Sequence, residues 1–204
     1  MRRLTLISVL LACIIGRCVG APEPAIVPPP SIWTLQLTSA ELWPITLGDS
    51  AIKRYWYLII SIENRTGTEV ELVPQAAMAT DAFQVLPAGT GAPAGLFDLI
   101  KARHKHAYPY LQPWPLAPER IMPGPDHARD YVLIWPEPET AGGKVSVFLG
   151  GLSNEMAVID HPTSRQADGM PVKVFLRKTL ELDFVIGPTI SGPAGPVDSR
   201  WVMR

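Results

Sequence analysis

The sequence has almost no cysteine. Its two cysteines, Cys13 and Cys18, both lie in the apolar N-terminal stretch. If an export signal ends at Gly20, the remaining chain has none. That excludes disulfides, a thiol nucleophile and metal sites with cysteine ligands.

The sequence also lacks an excess of charge of either sign. Only 18% of its residues are charged, and no block of like charge occurs. Of the 18 Lys and Arg residues, Arg2, Arg3 and Arg17 precede that cleavage site, which leaves 15 basic against 19 acidic residues and a net charge of −4. Because nucleic acids and anionic lipids bind to basic surfaces, we expect neither as the main partner.

The N-terminus has the order of a secretory signal. Arg2 and Arg3 precede the apolar run Leu4–Ile15, and the small residues of Gly16–Ala21 follow. This run is too short to span a membrane. We predict a signal peptide over 1–20 and export to the periplasm, the cell surface or the medium, with no transmembrane span afterwards. Leu10 to Cys13 also reads as a lipoprotein box, so lipidation of Cys13 stays an open alternative.

Proline shapes the rest of the chain. The 22 prolines disfavour a helical bundle and favour ordered loops and edge strands. The Pro-rich residues 21–31 are predicted to form an extended spacer, and the Gly/Pro-rich residues 187–204 a flexible tail. Between them, residues 32–186 have the length of one domain.

Strand patterns dominate that domain. Tyr55–Glu63 is aromatic and β-branched throughout, as expected of a strand covered on both faces. Further strands are predicted at Ile32–Leu37, Val70–Val73, Phe83–Leu86, Tyr131–Trp135, Val145–Leu149, Met156–Ile159 and Val172–Ile186. Val70–Val73 is expected to return beside Tyr55–Glu63 as a hairpin, and Gly151–Glu155 to form a second hairpin turn.

One helix is predicted at about Ala94–Ala107, with Leu96, Leu99 and Ile100 on its buried stripe. Short strands without βαβ alternation predict a mainly β fold. The specific expectation is an antiparallel two-sheet immunoglobulin-like sandwich with one short helix and Pro-rich loops.

Four segments carry a resemblance to known proteins. They read YWYLIISIENRTGTEVELVP, PDHARDYVLIWP, VSVFLGGLSNEMAVI and VFLRKTLELDF, and the resemblance covers about Ile32–Phe184. In this order they resemble a group of exported bacterial proteins that have one immunoglobulin-like domain and no assigned activity. The resemblance implies the fold and export, and it assigns no functional residue.

The histidines are the only candidates for catalysis or metal binding. His104 and His106 are predicted on a solvated helix end, where they point about 200° apart and do not share an ion. His127 follows Asp126 and His161 follows Asp160, which are patterns that turns also produce. No G-x-S-x-G motif is present. We therefore assign no catalytic residue, metal ligand or cofactor.

The aromatic residues Tyr108, Tyr110 and Trp114 are the candidate binding residues. Prolines between them stiffen the segment, so it either presents stacking surfaces to a ligand or packs across an end of the domain. We expect a non-catalytic module of the bacterial cell envelope that binds a protein or glycan through this loop or a sheet edge. The alternative is a hydrolase or metal-handling periplasmic protein that uses His104, His127 or His161.

Overall fold

The computed structural model describes residues 23–28, 31–48, 53–139 and 143–204. The predicted signal peptide 1–20, the lipidation site Cys13 and residues 21–22 and 29–30 of the predicted spacer lie outside these ranges. The fold is mainly β, with several antiparallel sheets. Its elements are β1 (Ala25–Val27), β2 (Gln36–Leu47), β3 (Lys53–Glu63), β4 (Val70–Leu72), β5 (Gln75–Thr80), β6 (Val85–Pro87), α1 (Leu96–His104), β7 (Gln112–Pro113), β8 (Glu119–Ile121), a 3-10 turn (Pro125–His127), β9 (Arg129–Pro136), β10 (Gly143–Gly150), β11 (Met156–Arg165), β12 (Pro171–Ile186) and β13 (Asp198–Met203).

The larger sheet is organised around the long strand β12. β10 pairs with Thr179–Ile186 and β11 with Pro171–Arg177, while β13 pairs with Lys178–Asp183 on the edge opposite β10. β5 and β6 extend the sheet beyond β10, and β1 extends it beyond β11. The neighbours of β12 change at Lys178.

The smaller sheet has the order β2-β3-β9-β7, and its buried residues share one core with those of the larger sheet. Alternate residues of the two sheets meet in the main core, to which β3 contributes Trp56, Leu58, Ile60 and Ile62. The opposite face of β3 is covered by α1. β3 is therefore buried on both faces, as its sequence predicts.

The two predicted hairpins are both wrong. β4 pairs with β8, while β3 is already flanked by β2 and β9, so no edge of β3 is left for Val70–Val73. β10 and β11 do not form a hairpin, because each pairs with a different stretch of β12. Gly151 joins them with a φ of +87°, and a Cβ there would lie 2.0 Å from the carbonyl oxygen of Val73, so the site requires glycine.

Both ends of the described chain contain strands that the sequence pattern does not indicate. Within the predicted spacer, Ala25–Val27 pairs with Met156–Val158. Within the predicted flexible tail, Asp198–Met203 pairs with β12, and Arg200 forms ion pairs with Glu181, Asp183 and Asp198. Asp183 is buried on the face of β12 that points away from the core, and its charge is compensated by Lys144 of β10 at 2.7 Å and by Arg200 of β13 at 3.5 Å.

The bounds of β2 also differ from the prediction. The sequence places a strand at Ile32–Leu37, whereas β2 continues to Leu47 and includes Pro44. Proline is tolerated because β2 is an edge strand, where an amide can face away from the sheet. Among the residues that the structure describes, no helix is long and apolar enough to cross a membrane.

Candidate functional site

Trp114 fixes the Pro-rich loop after β7 to the body of the protein. Its amide donates to the carbonyl oxygen of Val132 at 2.9 Å, and its ring meets Tyr131 edge to face, 5.5 Å between centroids. Only 8% of Trp114 is exposed, because the ring belongs to the main core. Trp114 therefore acts as an anchor for the loop and is not a stacking surface.

The other two predicted aromatics lie elsewhere. Tyr108 is half-buried behind α1, where its ring centroid lies 6.1 Å from that of His104. Burial raises the pKa of Tyr108, and the negative charge of Glu41 adds to this effect. Tyr110 is 79% exposed. The three residues thus face different surroundings, and the structure does not bring them together on one surface.

The loop that Trp114 anchors carries the most exposed large hydrophobic side chain among the described residues. We call residues 113–119 the Leu116 loop. Pro113, Pro115 and Pro118 restrict its backbone, and Leu116 is 98% exposed at its outer side. An exposed single leucine is common on protein surfaces, but here it sits on a stiff support beside a cavity.

The cavity beside the Leu116 loop has a volume of about 750 Å³. Val132–Ile134 of β9 line its floor, and Ala88–Thr90 form the opposite wall. The floor's backbone is already in use, because Gly89 donates to the carbonyl oxygen of Ile134 and Trp114 to that of Val132. A ligand in this cavity would be held mainly by apolar contacts.

One charged residue, Glu119, is among those that line the cavity. Its Oε2 accepts a hydrogen bond from the hydroxyl of Tyr131 at 2.9 Å, and its Oε1 lies 3.8 Å from Nε of Arg129. Burial, reinforced by the hydrogen bond to Glu119, raises the pKa of Tyr131 above its ordinary value. The carboxylate of Glu119 therefore already has partners within the protein, namely Tyr131 and Arg129.

His104 is buried, so its predicted place on a solvated helix end is wrong. Its Nε2 lies 2.9 Å from the hydroxyl of Tyr57, and its ring meets Trp43 edge to face at 5.0 Å. Only 8% of the residue is exposed. Burial lowers the pKa of His104, and the nearby positive charge of Arg103 lowers it further. His106, in contrast, is exposed, as predicted.

The hydroxyl of Tyr57 shares this environment. Burial raises the pKa of Tyr57 to about 12, although Arg103 opposes the shift. Neutral forms of both groups are therefore favoured at neutral pH. A neutral, buried and hydrogen-bonded pair of this kind stabilises the packing of α1.

The remaining histidines lie apart from this pair. His127 is exposed in the 3-10 turn, and Nδ1 of His161 accepts hydrogen bonds from the amides of Thr163 and Ser164 in a β11 turn. Within the described ranges, no three His, Cys, Asp or Glu residues are grouped so as to hold a metal ion.

Two features of the site escaped the sequence analysis. His104 continues the spacing Leu96, Ile100, His104, in steps of four residues, which marks the buried helix face. Leu99 was assigned to this face but is 54% exposed. Leu116 is bracketed by prolines, and that pattern indicates a rigid loop but not which side chain points outward.

No known protein family, curated protein or solved structure matches this chain.

Proposed function

We propose that this protein is an exported, non-catalytic module of the bacterial cell envelope that binds a partner protein through the Leu116 loop and the adjoining cavity. The observation that carries the proposal is Leu116, 98% exposed on a loop that Trp114 anchors in the core. A loop whose backbone is already restrained loses little conformational entropy on binding, which favours the use of its exposed side chain as an anchor.

The lining of the cavity favours a protein over a glycan. Sugars need exposed aromatic faces together with several hydrogen-bonding groups, whereas Trp114 is buried and Glu119 is paired. An apolar side chain of a partner suits the space beside Leu116. A hydrolase or metal-handling role has weaker support, because His104 is enclosed and His127 and His161 lie apart.

Export and the immunoglobulin-like architecture are part of the same proposal. The order of charged, apolar and small residues in 1–20 supports export, and the two facing sheets around one core support a sandwich. Mass spectrometry of the protein from its own cells tests export: a chain that begins at Ala21, or one with lipid on Cys13, supports it. A chain that retains residues 1–20 contradicts it.

Site-specific photo-crosslinking tests the binding surface. A photoreactive amino acid replaces Leu116 in one variant and Leu99 in the matched control, because both leucines are exposed and lie outside the core. We expect one protein to be linked from position 116 in intact cells and not from position 99.

The companion experiment uses substitutions. Leu116→Asp should weaken binding of the linked protein by about 30-fold, the effect of losing an interface anchor, because a carboxylate enters an apolar contact. Leu99→Asp should leave binding unchanged. Equal cross-linking from both positions, or unaltered affinity of Leu116→Asp, contradicts the proposal.

A further inference from the structure

Residues 35–42, which include the first part of β2, have an outer edge that is hydrogen-bonded to other described backbone only at the two ends of this segment. At one end, the amide of Leu35 donates to the carbonyl oxygen of Leu152 at 2.7 Å. At the other end, Leu42 and Ala194 exchange two backbone hydrogen bonds, of 3.0 and 2.8 Å. The bridges at both ends, Thr34–Ser153 and Leu42–Ala194, are antiparallel. Two other segments of the chain therefore already pair with this edge in the antiparallel direction.

Between these bridges the edge is open. Backbone groups of alternate residues point to opposite edges of a strand, and a bulge between Leu37 and Ser39 shifts the alternation once. The amides and carbonyls of Leu37 and Ala40 therefore face away from β3. Across the described ranges of the chain, no backbone group is hydrogen-bonded to these two residues on that side.

A second strand edge faces the same space. A groove of about 520 Å³ has Thr34–Ala40 on one wall and Ser199 and Trp201 of β13 on the other, with Leu180 and Leu182 at its floor. Arg177 and Arg204 exchange two backbone bonds, so alternation turns the amides of Ser199 and Trp201 away from β12. We call this space the edge groove.

We propose that the edge groove binds an extended segment of a partner polypeptide, which adds to β2 as an antiparallel strand. The walls offer free backbone amides and carbonyls, and a polypeptide backbone carries the complementary carbonyls and amides. The leucines at the floor require apolar side chains at every second position. The open edge accommodates roughly six residues at about 3.4 Å each.

The edge groove is separate from the Leu116 loop. β2 and β7 form opposite edges of the smaller sheet, and the Leu116 loop follows β7. The proposal therefore does not rest on the function proposed above. Binding in the groove should persist in Leu116→Asp, and its failure would leave the Leu116 loop untouched.

The test uses one defined probe, the capped and dye-labelled peptide Lys-Val-Thr-Val-Thr-Val-Lys, with the purified chain lacking residues 1–20. We expect binding by fluorescence anisotropy with a Kd on the order of 100 µM, because backbone pairing alone gives modest affinity. Amide hydrogen exchange of Leu37 and Ala40 should slow by about tenfold when the peptide binds. The matched control peptide, with alternate amides N-methylated, should not bind.

A paired substitution checks the location. Ser199→Trp fills the groove and should abolish peptide binding, whereas Ser164→Trp places the same residue on exposed β11 and should have no effect. Circular dichroism confirms that both variants keep their strands. If Ser199→Trp loses strand content, the location of the peptide is judged instead from the amide hydrogen exchange of Leu37 and Ala40 in the unsubstituted chain.

Four outcomes overturn the proposal. The first is no peptide binding at about 1 mM, the weakest affinity of interest here. The second is binding that leaves the exchange of Leu37 and Ala40 unchanged. The third is equal binding of the N-methylated peptide. The fourth is slow exchange of both amides without peptide, which would mean that the groove is already filled. In a dimer the occupant would be a second copy of the chain, and in a monomer it would be a segment of the chain itself.

Discussion

The two faces of β3 are equally buried, but they pack against different surroundings. Trp56, Leu58 and Ile60 point into the main core between the sheets, where almost all neighbours are apolar. Tyr57 and Ile59 point to the layer beneath α1, which contains the Tyr57–His104 hydrogen bond and the indole of Trp43. The first face is held by packing between two sheets. The second depends in addition on a polar contact and on the charge state of one histidine.

The largest expected difference between the faces comes from adjacent residues. Leu58 and Ile59 are both fully buried, one on each face. We expect Leu58→Ala to lower the free energy of unfolding by about 4 kcal/mol and Ile59→Ala by about 3 kcal/mol. The second loss is smaller because a single nine-residue helix shifts more easily into a cavity than a paired sheet does.

Chemical denaturation of both variants measures this difference. The slope of the unfolding transition should stay constant, so that the midpoints report stability. A larger loss of unfolding free energy for Ile59→Ala than for Leu58→Ala would contradict this expectation. It would show that α1 shifts into a cavity less easily than the facing sheet does.

A smaller effect is expected at the polar contact itself. Tyr57→Phe removes the hydroxyl beside Nε2 of His104 and should cost about 1–2 kcal/mol, since it leaves a buried nitrogen without its partner. Tyr55→Phe is the matched control on the same face, because Tyr55 makes no side-chain hydrogen bond among the described residues. Equal effects of the two substitutions on the denaturation midpoint would mean that the hydrogen bond contributes nothing.

The smallest effect concerns pH. The pKa of His104 is lower in the folded protein than the ordinary value of 6.5, so the unfolded chain binds more protons as pH falls through that value. The free energy of unfolding should therefore decrease below about pH 6.5 and be fully retained above it. The pKa of Asp183 is also lowered, because its contacts with Lys144, Ser146 and Arg200 outweigh the effect of burial. The stability that this carboxylate contributes is therefore lost only below about pH 4.

Denaturation between pH 7 and 5 isolates the histidine. His104→Gln should flatten the dependence in this range, while His106→Gln, on the exposed helix end, should not. A pH dependence that persists unchanged in His104→Gln would place its origin in another group.

The fold could be predicted in part. The continuous apolar run of β3 and the alternation along β12 identify buried strands, because these patterns directly reflect how many faces are covered. β4 and β8 could not be paired from sequence, since three-residue strands carry too little pattern to select a partner. The strand β13 was missed because Gly and Pro around it obscure a ladder that depends on the buried charges of Glu181 and Asp183.

The candidate site was only partly predictable. The prolines around Leu116 indicate a stiff loop, and the three aromatic residues mark its position. Which of them points inward depends on the edge of β9, where the carbonyl of Val132 binds Trp114. His104 could have been assigned to the core from its spacing with Leu96 and Ile100, but Tyr57 as its partner could not, because 47 residues separate the two.

The sequence by itself determined a mainly β chain, the position of α1, and the burial of β3 on both faces, because these follow from local periodicity and composition. Only the tertiary structure decided the strand partners, the inward turn of Trp114 and His104, the exposure of Leu116, and the open edge of β2. These features depend on contacts between residues far apart in the chain. Every residue except proline carries the same backbone hydrogen-bonding groups, so only the fold decides which strand edges are covered and which stay free.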